Sequence, residues 1–260
     1  MSANALFSDT ERAQFNRDGY AIVRGLAPAA TVTRMREVAL LHLAEARLPV
    51  EYETDTQYPG APASLDAPGG RTVRRLLQAV ARDAMFREWA VSPPLAARLT
   101  QLLGPRVALS QAHHNCIMTK NPAYSSVTHW HRDIRYWSFD KSELVSVWLA
   151  LGEERVQNGC LLLLPGSHQM AFAPDQLDAV QFLRTDRDDN RAVLQTQIAA
   201  ELHAGDVLFF HCRLFHAAGH NQTADTKLSV VHTYHAADNH PLPGTRSAAL
   251  PDMPLSVKLE

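Results

Sequence analysis

The sequence predicts a mostly β protein with flanking helices, in which N-terminal helices precede an antiparallel β core. The chain has 260 residues, of which 46% are hydrophobic and 20% charged, so it is long enough for one substantial core. Helical patterns dominate residues 1–104, whereas strands and turns dominate residues 105–236. No repeat or linker divides the two parts. We therefore expect one domain, with residues 237–260 as a C-terminal tail.

The N-terminal part begins with a helix-opening motif. Ser8 and Glu11 fit a capping box, in which each side chain accepts a hydrogen bond from a free backbone amide. The helix is expected to end at Gly19, because glycine adopts the left-handed conformation that closes many helices. A short strand over residues 20–24 and an amphipathic helix after Pro28 follow.

Residues 50–70 differ from their surroundings and are rich in proline, glycine, acidic residues and tyrosine. A loop of this length in a compact domain is typical of an active-site lid, and we expect it to act as one. Helical periodicity then returns over residues 72–103, and residues 186–191 read as an exposed charged loop. The core strands are expected over residues 107–111, 114–118, 144–151, 160–164, 207–211 and 228–234.

Charge and composition exclude several classes of protein. The formal net charge is −2, so no large positive field is available to bind nucleic acid. The longest apolar runs are far too short to span a membrane, and the N-terminus does not resemble a signal peptide. Three cysteines lie far apart and form no Cys-x-x-Cys pair, which argues against a disulfide framework. We expect a cytoplasmic protein that acts on a small molecule.

Two histidines and an aspartate are the candidate metal ligands. His131 and Asp133 form a His-x-Asp motif, which places both side chains on one face if the segment is a strand. With 13 histidines and 27 acidic residues, about one such match is expected by chance, so the motif needs support from its context. His216 follows a predicted turn and buried strand, and it would complete the two-histidine, one-carboxylate triad of non-haem iron enzymes. Lys227 lies eleven residues later, where a cation would bind the far carboxylate of a cosubstrate held on the metal.

The chain resembles the phytanoyl-CoA dioxygenase family of iron(II)/2-oxoglutarate oxygenases. The resemblance rests on the order and spacing of short motifs between about Phe15 and Tyr234. These motifs lie at residues 17–25, 130–133, 147–151, 158–160, 165–168 and 216–221.

The resemblance implies a double-stranded β-helix, also called a jelly-roll, that holds iron through His131, Asp133 and His216. It also implies a dioxygenase that consumes O2 and 2-oxoglutarate, hydroxylates an unactivated C–H bond of a small-molecule or lipid-type substrate, and releases succinate and CO2. The residues expected to contact 2-oxoglutarate are Lys227, Trp148, His114, Met118 and Ser229.

Two residues depart from the family pattern. Lys227 stands where relatives usually have arginine, and Ala218 stands where they often have serine. Lysine offers a point charge instead of a two-pronged fork, and Arg213 or Arg132 are candidates to compensate. The alternative is therefore a non-catalytic or non-redox metal-binding jelly-roll protein, for example a zinc protein, that has lost the use of 2-oxoglutarate.

The substrate side is expected next to the metal ligands. If residues 131–137 continue as a strand, Arg135 and Trp137 share the face of His131 and Asp133. Our hypothesis is that Arg135 and Trp137 line the substrate site, and the alternative is that they serve ordinary packing.

Overall fold

Two antiparallel sheets form the jelly-roll in a computed structural model that describes residues 6–56 and 58–255. The larger sheet has the order β1-β9-β6-β11-β4-β3-β2, with β12 also paired to β4, and the smaller sheet has the order β5-β10-β7-β8. The larger sheet consists of β1 (Tyr20–Val23), β2 (Val50–Tyr52), β3 (Val73–Leu77), β4 (Val107–Lys120), β6 (Leu144–Ala150), β9 (Val207–His211), β11 (Lys227–Ala236) and β12 (Met253–Pro254). The smaller sheet consists of β5 (Thr128–His131), β7 (Leu161–Leu163), β8 (Ile198–Ala200) and β10 (His216–Ala218).

Helices from the N-terminal half of the chain cover the outer face of the larger sheet, namely α1 (Asp9–Asp18), α2 (Ala29–Ala44), α3 (Ala79–Arg82), α4 (Ala84–Ala90) and α5 (Pro93–Leu103). Helix α6 (Asp188–Leu194) lies within the β half of the chain, and its Val193 and Leu194 pack against a separate apolar cluster that contains Trp130 of β5. None of the helices in the described part of the chain is long and apolar enough to cross a bilayer.

Alternation along the central strands builds two apolar cores. On β6, Val147 and Leu149 pack into the core under the helices, whereas Trp148 and Ala150 point between the two sheets. Because both faces of β6 are covered, the strand is buried at every position and reads as a continuous apolar run. The inner face of this strand is the one that reaches the functional site.

The N-terminal prediction is confirmed in detail. The Ser8 side chain accepts a hydrogen bond from the Glu11 amide, and the Glu11 carboxylate accepts one from the Ser8 amide. Gly19 has φ +81° and closes α1 through its amide, which donates to the Phe15 carbonyl. The chain then enters β1, which pairs with β9, so the first strand belongs to the larger sheet.

Several predicted elements were wrong. Residues 73–77 form strand β3 and not a helix, because pairing with the long strand β4 outweighs a weak local preference. The predicted loop over 186–191 is largely helical, since it overlaps α6, whose first turn carries Asp188 and Asp189 as favourable acidic residues. Residues 50–70 include β2 and a 3-10 helix at Glu53–Asp55, and Met253 in the C-terminal tail pairs with Leu109.

Strand β4 is continuous, although two strands were predicted there. Its register against β11 shifts between His232, which pairs with Asn115, and Thr233, which pairs with Ser110. The extra residues of β4 form a bulge, and a bulge re-aims the side chains that it contains. This irregularity carries His113 and His114 to the cavities described below.

Candidate metal centre and cosubstrate cavity

Cross-strand pairing brings the two candidate histidine ligands together. His131 ends β5 and is the direct partner of His216 on β10, and their ring centroids are 4.2 Å apart. Asp133 lies in a 3-10 helix at Asp133–Tyr136 that follows β5. The expectation that Asp133 shares a strand face with His131 was therefore wrong, and the turn of this helix is what brings its carboxylate back toward both imidazoles.

The three side chains present ligand atoms to a common point. One such atom from each of His131, Asp133 and His216 lies within 4.8 Å of the others, and all three residues are buried. Asp133 Oδ1 is 3.5 Å from His216 Nε2 and 3.9 Å from His131 Nε2. This buried oxygen has no hydrogen-bond partner among the described residues, which is the condition expected of an atom that coordinates a metal.

Backbone carbonyls fix the tautomer of both rings. His131 Nδ1 donates to the carbonyl of His129 at 2.8 Å, and His216 Nδ1 donates to that of Leu214 at 3.0 Å. A carbonyl only accepts hydrogen bonds, so Nδ1 carries the proton and the lone pair of each Nε2 faces Asp133. The set of two imidazoles and one carboxylate fits iron(II), because it occupies one side of the metal and leaves positions free for other ligands.

Neighbouring groups keep Asp133 ionised. Its Oδ2 accepts a hydrogen bond from Ser146 Oγ at 3.1 Å and lies 3.5 Å from His114 Nδ1. Burial opposes ionisation, but the surrounding histidines outweigh it and hold the pKa of Asp133 well below its usual range. Burial also lowers the pKa of His114 to about 4, so this ring is neutral at pH 7.

One cavity connects the metal ligands with most of the residues expected to contact 2-oxoglutarate. We call it the inner cavity, and His114, Met118, Trp148 and Lys227 all line it together with the three candidate ligands. Ser229 does not line it. Four cationic side chains belong to its wall, namely Arg74, Arg75, Lys120 and Lys227.

Lys227 is already paired with a carboxylate of the protein. Its Nζ lies 3.1 Å from Glu154 Oε2, and both side chains are buried. Glu154 Oε1 accepts hydrogen bonds from Trp148 Nε1 at 2.8 Å and from Ser229 Oγ at 2.6 Å. Three of the residues predicted to contact 2-oxoglutarate thus donate hydrogen bonds to Glu154 instead. Both carboxylate oxygens of Glu154 have a partner within the protein.

The two arginines considered as substitutes lie elsewhere. Arg132 stacks over the ring of Phe215 at 4.9 Å from its centroid, and Arg213 lines a separate cavity beside Glu143. Neither side chain lines the inner cavity. Ala218, the second predicted departure from the family pattern, does line it.

A second cavity of about 480 Å³ adjoins the inner cavity. This outer cavity shares Tyr58, Arg75 and His114 with the inner one, and both Arg135 and Trp137 line it. The reason given for their placement was wrong, because residues 133–136 are a 3-10 helix and not a strand. The helix nevertheless directs both side chains to the side of the metal ligands that faces the outer cavity.

Sequence reasoning missed Glu154, Lys120 and the arginine pair Arg74 and Arg75. Arg74 is buried and lies 3.4 Å from Glu53, and Arg75 lies 3.4 Å from Glu51. Lys120 had a usable signal, because it is one of only four lysines and follows the strand predicted over 114–118 by two residues. Glu154 had none, since it stands in a polar turn where an exposed carboxylate is the ordinary expectation.

Comparison with known proteins identifies the family. The family model for phytanoyl-CoA dioxygenase (PhyH) matches residues 15–229. Human peroxisomal phytanoyl-CoA dioxygenase is 23% identical over 260 residues, which cover 91% of this chain and 71% of the human protein. Ectoine dioxygenase from Sphingopyxis alaskensis is 25% identical over 257 residues, which cover 91% of this chain and 78% of that protein.

Solved structures show the same fold. The S. alaskensis enzyme EctD with 2-oxoglutarate and 5-hydroxyectoine gives a TM-score of 0.74 at 21% identity and covers 93% of this chain and 80% of that chain. The epimerase SnoN with Fe3+, α-ketoglutarate and nogalamycin RO gives 0.71 at 24% identity and covers 96% of both chains. The match across most of the chain, together with a His-Asp-His group suited to iron, leads to one conclusion. The chain belongs to the phytanoyl-CoA dioxygenase family and is an iron- and 2-oxoglutarate-dependent dioxygenase.

Proposed function

We propose that this enzyme hydroxylates an unactivated C–H bond of a small molecule, with release of succinate and CO2. The observation that carries the proposal is the buried Asp133 oxygen, which faces the Nε2 atoms of His131 and His216 in the wall of the inner cavity. Bound iron and 2-oxoglutarate would supply the oxidising chemistry, and the protein would supply orientation and exclusion of water. The relatives described above are a phytanoyl-CoA dioxygenase and an ectoine dioxygenase, which supports oxygenation of a small molecule.

In this proposal the inner cavity holds 2-oxoglutarate. His114 and Met118 on β4 and Trp148 on β6 form its walls. Lys227 also lines the cavity, and its ammonium group donates to Glu154, which accepts a hydrogen bond from Ser229 as well. His114 is neutral and buried against Asp133. It therefore fills space beside the metal site and does not compete as a cation with the metal ion for Asp133.

The outer cavity is the proposed substrate site, and its lining favours an anionic substrate with an apolar body. Arg135 stacks over Phe182 and Tyr136, with its guanidinium carbon 4.1 and 4.6 Å from their ring centroids. It has no carboxylate partner among residues 6–56 and 58–255. Trp137 adds a buried aromatic surface to the same wall. A cavity of this size suits a small molecule, and an arginine held by aromatic rings suits a carboxylate or phosphate on it.

The segment over 50–70 is the proposed lid. Tyr58 lines both cavities. Its hydroxyl lies 2.6 Å from that of Tyr136, which belongs to the same 3-10 helix as Asp133. The Pro59 carbonyl accepts a hydrogen bond from the amide of Val127 at 2.9 Å. These contacts close the segment over the site, so displacement of Tyr58 would open the outer cavity to substrate.

The proposed function is tested first by metal and cosubstrate binding. Anaerobic protein with iron(II) and 2-oxoglutarate should show a visible charge-transfer band, and in air it should form succinate. His131→Ala should lose both signals, whereas His203→Ala, which changes an exposed histidine, should retain them. A wild-type protein that forms neither the band nor succinate would contradict the proposal.

The substrate class is tested with matched compounds. Each candidate acid is compared with its neutral amide for its ability to stimulate succinate formation. Acids should stimulate more strongly than amides, and Arg135→Met should remove this preference while the unstimulated rate stays the same. An equal response to acids and amides in the wild type would contradict the assignment of an anionic substrate.

A further inference from the structure

Of the four cations in the wall of the inner cavity, three have a carboxylate ion-pair partner and one has none among the described residues. Arg74 is paired with Glu53, Arg75 with Glu51 and Lys227 with Glu154, at N···O distances of 3.1–3.4 Å. Lys120 is the fourth cation in the cavity wall, and no carboxylate among the described residues lies within ion-pair distance of its ammonium group. Its Nζ donates instead to the carbonyl of Ser126 at 2.8 Å.

Lys120 lies directly opposite Lys227 on neighbouring strands. The two residues are cross-strand partners in the ladder between β4 and β11, and both are buried. Like charges in this arrangement destabilise a sheet unless an anion lies between them. Glu154 balances only one of the two positive charges, so one further negative charge would balance the lysine pair.

The chain makes specific room for the Lys120 side chain. Gly159 has φ +75°, and a Cβ atom there would lie 2.7 Å from Lys120 Cδ and 2.7 Å from the Gly219 carbonyl oxygen. Gly159 belongs to the 158–160 motif, whose part in the site is otherwise unexplained. A glycine at this position keeps the lysine stem extended along the cavity wall.

We infer that Lys120 is the principal cation for the far carboxylate of 2-oxoglutarate, because Glu154 neutralises Lys227 from within the protein. The inference rests on the proposed use of the inner cavity for 2-oxoglutarate. It assigns the cosubstrate contact to a residue on β4 and makes Glu154 an internal competitor for the contact expected of Lys227. The two lysines then balance two carboxylates, one from the protein and one from the ligand.

The pKa of Lys120 gives the inference a second measurable consequence, which is proton uptake on binding. Burial and the neighbouring Lys227 lower the pKa of Lys120 to about 7, although nearby Glu53 acts in the opposite direction. A bound carboxylate favours the charged ammonium, so binding should raise this pKa. Between pH 7 and 8 the protein should therefore take up protons when 2-oxoglutarate binds.

The test is anaerobic titration calorimetry on the metal-loaded full-length protein, with two ligands. 2-Oxoglutarate is compared with 2-oxopentanoate, which has the same chain length and chelating end but lacks the far carboxylate. Lys120→Met should weaken 2-oxoglutarate roughly 10- to 100-fold, the range for a lost charge-assisted hydrogen bond, and should leave 2-oxopentanoate within about twofold. Lys141→Met, which changes an exposed lysine, is the matched control and should alter neither affinity.

A double variant tests the role of Glu154. Glu154→Gln in the Lys120→Met background should recover part of the lost affinity for 2-oxoglutarate, because Lys227 loses its internal carboxylate. Titration in two buffers of different ionisation enthalpy should show proton uptake in the wild type and none in Lys120→Met.

Three results would overturn the inference. They are an unchanged affinity for 2-oxoglutarate in Lys120→Met, an equal loss for both ligands, and no recovery in a double variant that still binds metal. A wild type that binds no 2-oxoglutarate would instead contradict the proposed function itself.

Discussion

Gly159→Ala separates backbone strain from crowding at the cavity wall. Alanine at φ +75° costs about 1–2 kcal/mol for the left-handed backbone, less about 0.4–1 kcal/mol from reduced freedom of the unfolded chain. The new methyl would also press on the Gly219 carbonyl and Lys120 Cδ, both at 2.7 Å, and overpacking of this kind costs about 1–3 kcal/mol more. Together these contributions give an expected loss of roughly 1–5 kcal/mol in the free energy of unfolding.

Gly244→Ala is the matched control for Gly159→Ala. Gly244 has φ +77°, but no atom lies within 4 Å of its would-be Cβ, so only the backbone cost of about 1 kcal/mol applies. Urea unfolding of both variants gives the crowding cost as their difference, and calorimetry should show weaker 2-oxoglutarate binding for Gly159→Ala alone. Equal destabilisation of the two variants, with normal binding in both, would refute the reasoning.

Three further predictions concern buried polar groups. Burial lowers the pKa of His232 to about 3, below its value in the unfolded chain. The free energy of unfolding of the wild type should therefore fall as pH decreases below about 6.5. His232→Leu should weaken this pH dependence, as measured by urea unfolding at several pH values. Glu53→Ala should cost about 3 kcal/mol, because it removes one carboxylate from buried Arg74 and leaves only Glu51, at 3.5 Å, as its ion-pair partner. Asp9→Ala at an exposed ion pair should cost less than about 1 kcal/mol, and similar losses for the two variants would contradict this. Ser146→Ala removes a donor to Asp133 and should weaken metal binding roughly 10- to 100-fold, and an unchanged metal titration would contradict that role.

Much of the fold could be predicted from local patterns. The capping box at Ser8 and the apolar strand over 207–211 are encoded by neighbouring residues, and the structure places both where the sequence indicates. Strand β3 could not be predicted in this way, because its partner β4 lies about 40 residues further along the chain. Pairing at that distance outweighs local preference and leaves little trace in the segment itself.

The candidate metal ligands could be predicted from the sequence, whereas the environment of Lys227 could not. The order and spacing of the motifs indicated His131, Asp133 and His216 as one group, and the structure places their ligand atoms within 4.8 Å of one another. The environment of Lys227 could not be predicted, because it depends on the buried side chain of Glu154. Hydrogen bonds from Trp148 and Ser229, which lie on two different strands, hold that carboxylate in place. A carboxylate in a turn becomes part of a binding site only when the fold closes around it.

The wall shared by the two cavities has a consequence for how this enzyme can change its substrate. Tyr58, Arg75 and His114 line both cavities, so a substitution there would alter the proposed cosubstrate site together with the proposed substrate site. Val180 and Arg246 line the outer cavity and do not line the inner one. New substrate preferences should therefore arise by substitution at residues of this second kind, while the shared wall stays constrained by a reaction step that every substrate requires.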